Sequence, residues 1–463
     1  MILFVDRVDE LSFLEERFKS GRAELIVIYG RRRIGKTELI KQFMKDKDGF
    51  YFLARKQNMD LELERFGKKF GKKFNIFMES RTWDDIFEVI TKFIRNRRFV
   101  IAIDEFSYWM DEEPAICSIL QSIWDESLSK TRCFMILCGS TIGMMESLLT
   151  YGNPLYGRRT GQWKVDQLSF FDVKNFFPNY DIEELIKAYA CVGGIPQYLL
   201  EFNPEFSVKE NIEETFLNKG NILYDDAERI LKDELREPIV YLNIMECIND
   251  GETTMSEISK KTKVDITNLS KYINVLMRMG LLKKEYPPTV VERKKRRGIY
   301  RIVDNYFRFW LRFIHPFKDE IEIGNYRFES FENKFNRYLG EIFEDISKQF
   351  LIQLNKNKKL PFTPLKIGRW WYKDKEIDII ALNDKSRSIA FFECKWSHLR
   401  ENECRSILEE LKEKSRHVKW FEKERKNHFG IIAKEIKGKN RLRKDGFLVY
   451  DLGDMKIYPR YRH

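Results

Sequence analysis

Ile26-Val27-Ile28-Tyr29-Gly30-Arg31-Arg32-Arg33-Ile34-Gly35-Lys36-Thr37 decides how the first half of this 463-residue chain folds. It reads G-x-x-x-x-G-K-T, after an apolar β-branched run and before a helical pattern, Glu38 to Met44. Strand, glycine loop and helix in that order predict a phosphate-binding loop. Gly30 and Gly35 let backbone N–H groups turn inward at a helix N-terminus, which favours anions. Lys36 brings a point charge to the β- and γ-phosphates, and the Thr37 hydroxyl is a ligand for Mg²⁺. Arg31, Arg32, Arg33, Ile34 and Glu38 belong to the same nucleotide-binding stretch.

Working outward, Arg98-Phe99-Val100-Ile101-Ala102-Ile103-Asp104-Glu105-Phe106 is a nearly pure apolar strand ending in two carboxylates. Such a strand suits a parallel sheet buried on both faces. Asp104 is then expected to hold Mg²⁺ through water, and Glu105 to polarise the attacking water. A further buried strand, 133–138, leads to Ser140, which either touches the γ-phosphate or caps a helix over 142–149. The loop 153–160 carries Arg158 and Arg159, one of them expected as an arginine finger on the γ-phosphate, the alternative being solvated surface charges.

Composition frames these elements. The length predicts roughly two to four domains. Hydrophobic residues make up 43% and aromatics 14%, enough to fill cores, so global disorder is excluded. The formal charge of +11 suggests a polyanionic partner. Seven scattered cysteines with no C-x-x-C pair suggest reduced thiols in a cytoplasm. Met1–Val5 gives way at once to Asp6-Arg7, so no signal peptide is expected, and no apolar run is long enough to span a membrane. The five histidines have no ligand spacing.

Phe4-Val5-Asp6-Arg7 with Glu10-Leu11, the phosphate loop, Ile103-Asp104-Glu105-Phe106, Cys138-Gly139-Ser140, Tyr156-Gly157-Arg158, and Gly193-Gly194-Ile195-Pro196-Gln197-Tyr198-Leu199 occur in that order. Together they resemble the prokaryotic, largely archaeal ATPase family of the AAA+/STAND lineage over residues 1–235. The resemblance implies ATP as the nucleotide, Asp6 and Arg7 near its base, and Pro196 in a helical lid against the phosphates.

Residues 236–303 read as three short helices and a β-hairpin, a winged helix in outline. Thr254-Met255-Ser256-Glu257 has capping-box spacing, and Leu269, Ile273, Leu276 and Met279 share a helix face. Thr267, Asn268 and Lys271 are placed to meet base edges, and the basic run 293–297 to meet DNA phosphates. The alternative is a winged helix that serves as a packing or partner module.

Residues 304–463 open with an aromatic segment, 305–314, and a long amphipathic helix over 331–354. Strands around Asp378 and over 389–396 follow. Alternation puts Glu393 and Lys395 on one face, and a hairpin brings Asp378 alongside. Two carboxylates make a hard-oxygen Mg²⁺ site, and a lysine beside it offsets charge on a scissile phosphate. This pattern resembles the PD-(D/E)XK nuclease core, with Ile377 where the signature has proline. The resemblance adds Glu344 as a helical metal ligand; otherwise Glu344 pairs with Lys348 one turn on.

The chain is thus expected to be α/β: a P-loop parallel-sheet ATPase domain with a helical lid (1–235), a winged helix (236–303), and a restriction-endonuclease-like α/β domain (304–463). It is expected to hydrolyse ATP and act on DNA. The alternatives are a nucleotide-dependent switch or regulator with an inactive nuclease-like domain, or a switch directed only at proteins.

Overall fold

The first sheet consists of β1 (Glu24–Tyr29), β2 (Gly49–Leu53), β3 (Phe99–Asp104), β4 (Cys133–Gly139) and β5 (Gly161–Lys164). All are parallel, in the order β2-β3-β4-β1-β5. Every residue of β1, β3 and β4 is buried, as strands covered on both faces must be. Alternation sends Leu25, Val27, Ile101 and Ile103 into one core, and Ile26, Ile28, Val100 and Ala102 into the other. Edge strand β5 alternates between half-buried and exposed residues. It has no apolar run to announce it, and the sequence predicts no strand there.

The structure is a computed structural model that describes residues 4–5, 7–78, 81–290 and 298–456. Asp6 and the basic run 293–297 therefore lie outside the described residues. The chain divides into two compact units: one runs to Gln167 and takes back Ile195–Gln197, and the other holds Leu168–Gly194 and the chain from Tyr198 on.

In the second unit the helix Asn305–Phe313, buried at all but one position, ties its neighbours together. Asn305 donates to the Tyr189 carbonyl at 3.0 Å, and Trp310 Nε1 to the Tyr224 carbonyl at 2.7 Å. The buried Asn305 amide and the Trp310 indole N–H each find a backbone partner, so burial leaves them satisfied.

Three helices, Pro238–Asn249, Met255–Thr262 and Ile266–Arg278, precede an antiparallel pair, β6 (Leu282–Glu285) and β7 (Ile299–Ile302). The capping box forms: Glu257 Oε2 accepts from the Thr254 N–H at 2.9 Å, and Thr254 Oγ1 from the Glu257 N–H at 3.3 Å.

The long helix Glu332–Lys356 leads to a second sheet of β8 (Lys366–Tyr372), β9 (Lys375–Asn383), β10 (Ser388–Leu399), β11 (Lys426–Ile436) and β12 (Leu448–Asp451). Its order is β12-β11-β10-β9-β8. β8, β9 and β10 are antiparallel, whereas β10, β11 and β12 are parallel. The helix Glu401–Ser415 connects β10 to β11, as a parallel pair requires. Among the described residues, no helix is long and apolar enough to cross a membrane.

Candidate functional site

In the first unit, β4 pairs with both β1 (Tyr29 opposite Gly139) and β3 (Leu137 opposite Ile103). The loop after β1 and the ends of β3 and β4 therefore meet at the carboxyl edge of the sheet, where open α/β sheets bind ligands. Gly35 takes φ +90° at the N-cap of the helix Lys36–Met44, a conformation that favours glycine. Buried Lys36 folds back, its Nζ donating to the carbonyls of Gly30 and Arg31 at 2.8 Å each. Thr37 Oγ1 donates to Asp104 Oδ2 at 2.6 Å.

Two groups complete this cluster. Tyr51, on β2, donates its hydroxyl to Asp104 Oδ2 at 2.7 Å. Burial first, and then the Asp104 charge, pushes the Tyr51 phenol above its ordinary pKa, so it stays a donor. The sequence did not single out Tyr51; its only signal is a polar tip on the strand beside the acidic one. Glu105 sits at φ +56°, left-handed for a non-glycine residue, and its Oε2 accepts from both the N–H (3.1 Å) and the hydroxyl (2.7 Å) of Ser140. Strain of this kind collects at functional sites. Ser140 is therefore no helix cap: the following helix, Ile142–Ser147, has Thr141 at its N-cap.

Arg7 is buried and clamps the loop from behind. It donates to the carbonyls of Ile34 (2.7 Å) and Asp166 (2.6 Å) and pairs with Glu10 at 3.0 Å. Pro196 borders the loop, with its Cγ 3.7 Å from where a Cβ on Gly35 would stand. Arg158 forms a two-pronged pair with Asp125 (3.1 and 2.8 Å), and Arg159 lies 4.8 Å over the Tyr156 ring. Glu38 pairs with Lys41 at 2.8 Å on the first turn of the loop's helix.

The second candidate group lies on β9, β10 and the helix Glu332–Lys356. Asp378 Oδ2 accepts from the Cys394 N–H at 2.7 Å. Buried Glu393 is held by Lys395 (2.9 Å) and by Lys414 (3.0 Å), the latter on the helix Glu401–Ser415. Burial, then the neighbouring Glu393 charge, raises the Asp378 carboxyl above its ordinary range. Burial and then Asp378 raise Glu344 against the pull of Arg369.

Glu344 pairs with Arg369, not with Lys348 as the helical spacing suggests. Arg369 also pairs with Glu376 at 2.9 Å. Among the described residues, no three His, Cys, Asp or Glu side chains gather as a group that could hold a metal ion. Asp378 lies within electrostatic range of Glu344, Glu393 and Lys395, with Arg369 and Lys414 as partners that the sequence had not marked.

An ATPase domain family found predominantly in Archaea matches residues 4–202, and a family of archaeal bacterial proteins of unknown function matches residues 310–407. An uncharacterized protein of Methanocaldococcus jannaschii is 36% identical over 453 residues, spanning 98% of this chain and 100% of its own. An uncharacterized ATP-binding protein of that organism is 51% identical over 47 residues, 10% of this chain and 80% of its own. Among solved structures, the Walker-type ATPase of Pyrococcus abyssi aligns at 21% identity and a TM-score of 0.49, covering 67% of this chain and 96% of that one. The ORC2 protein of Aeropyrum pernix, in complexes with ADPNP and ADP, aligns at 13% and 0.47, covering 68% and 93%.

Proposed function

The chain belongs to the archaeal proteins built on a P-loop ATPase domain, and from that premise we propose that its ATP hydrolysis controls how the second unit engages DNA. The observation that carries the ATP half is the convergence of Lys36, Thr37, Asp104 and Glu105 at one sheet edge. Lys36 would leave the carbonyls of Gly30 and Arg31 for the β- and γ-phosphates. Mg²⁺ would be held by Thr37 and Asp104, whose oxygens already converge, and would offset phosphate charge. Glu105, oriented by Ser140, would draw the proton from the attacking water. Arg31, Arg32, Arg33 and Ile34 would line the phosphates. Arg7 would act by fixing the loop, and Pro196 would cover it. Arg158 and Arg159 would serve a neighbouring copy, since they engage Asp125 and Tyr156 rather than the Lys36–Asp104 group.

The DNA half rests on the net charge of +11, the three helices with their hairpin read as a winged helix, and the Asp378–Glu393–Lys395 group on a mixed sheet. The nuclease reading would require Glu344, Asp378 and Glu393, which do not gather as a metal-holding group among the described residues, to draw together around a divalent cation that offsets charge on the scissile phosphate, with Lys395 orienting the water. The rival reading, a nuclease-like fold that no longer cuts, is favoured by the cations on Glu344 and Glu393. Seven buried, unpaired cysteines suit a reducing cytoplasm.

The test is a cleavage assay on single- and double-stranded DNA with Mg²⁺ or Mn²⁺, with and without ATP. Cutting lost in Asp378→Ala and altered in Lys36→Ala is the expected result. ATP turnover without cutting in any lane would leave the switch reading in its place.

A further inference from the structure

Within the second unit, a cavity of about 1110 Å³ opens between the β6 hairpin strand and β8. It exceeds the roughly 300–1,000 Å³ of ordinary small-molecule pockets. The hairpin is seated on β8: Pro288 Cγ lies 3.1 Å from where a Cβ on Gly368 would stand, so a side chain there would push Pro288 back by a few tenths of an ångström. The β8–β9 register shifts between Gly368 and Trp370. Arg369, within that irregularity, lines the cavity and also pairs with Glu344, so cavity and carboxylate group share a wall.

The lining is basic, with five Lys or Arg residues against Glu285 and Asp384. Both acids are already engaged: Glu285 by Lys283 (2.6 Å) and Arg301 (3.5 Å), Asp384 by Lys366 (3.0 Å) and the Trp420 N–H (3.1 Å). Lys348 makes no hydrogen bond or ion pair among the described residues. Burial, then the like charge of Lys283, holds its ammonium below the ordinary pKa, although Glu285 and Asp345 pull the other way. Half-buried Trp371 presents a ring with no aromatic partner among the described residues. The unpaired Lys348 ammonium beside an unstacked indole matches the two demands of a single strand, phosphate neutralisation and base stacking.

We infer that this cavity is a track for unpaired DNA leading toward the Glu344–Asp378–Glu393 group, with Lys348 on a phosphate and Trp371 under a base. The inference rests on the reading that the second unit engages DNA, and it adds the form of DNA and the residues that hold it.

The test is anisotropy of labelled oligo-dT with the full-length protein, over a range of salt. Trp371→Ala is expected to weaken binding about ten-fold, and Trp371→Phe to restore most of it. Lys348→Gln is expected to weaken binding and lower the salt slope by about 0.7. Thermal melts establish that each variant is folded. Oligo-dT affinity that ignores both Trp371→Ala and Lys348→Gln would overturn the inference alone. So would a duplex with the same sensitivity to these variants, and oligo-U bound more tightly than oligo-dT would overturn the assignment to DNA. No binding of any DNA would overturn the DNA reading itself.

Discussion

The two candidate sites treat their charges in opposite ways. At the edge of the first sheet, Lys36 is turned onto two backbone carbonyls and Asp104 accepts from two hydroxyls, Thr37 and Tyr51. Neutral partners of this kind can be exchanged for phosphate and metal without stranding an opposite charge in a buried place. On the second sheet, Glu344 and Glu393 are held by arginine and lysines. A cation entering there must compete with charges already in position. The first site is poised for its ligand, while the second is self-neutralised.

The largest expected effect falls on the first site. Lys36→Ala should lower ATP turnover by about 10²–10³, the scale of losing one donor aimed at developing charge. Glu105→Gln should cost about 10² or more in steady-state turnover while calorimetry still detects ATP binding, because it removes the base and leaves the phosphate contacts. Equal loss of binding in both variants would break the distinction between the two residues.

On the second site, Arg369→Ala should destabilise the chain by about 3 kcal/mol in denaturant melts, because it leaves Glu344 buried beside Asp378 without its cation. The sign of the pH dependence follows from the raised Asp378 and Glu344 carboxyls. In the nuclease reading, protons held above the ordinary carboxylate range would compete with a metal, so any Mn²⁺ affinity measured by calorimetry should tighten as pH rises from 6 to 8. Asp378→Asn should flatten that dependence. The smallest effect belongs to Tyr51→Phe, which removes one hydrogen bond to a carboxylate and should cost about 1.5 kcal/mol, roughly ten-fold in turnover.

What was legible in the sequence was local. Gly30 to Thr37 is a contiguous pattern, and Asp104-Glu105 ends an apolar run, so both could be placed on a sheet edge without coordinates. Glu393 and Lys395 were legible through alternation along one strand. The partners were not. Tyr51 reaches Asp104 only because β2 pairs with β3 in a register that sets Leu53 opposite Asp104. Arg369 and Lys414 reach the carboxylates from elements whose packing no spacing rule supplies. Ser140 was found, but its hydroxyl serves Glu105 because the Glu105 backbone turns left-handed there.

The central claim is that nucleotide state in the first unit controls DNA engagement by the second. Its most direct test is DNA affinity of full-length Glu105→Gln, which should trap bound ATP, compared with the same protein free of nucleotide. The account predicts affinities that differ by about 5-fold or more, the scale of coupling between linked sites. Identical affinities in the two states would contradict it.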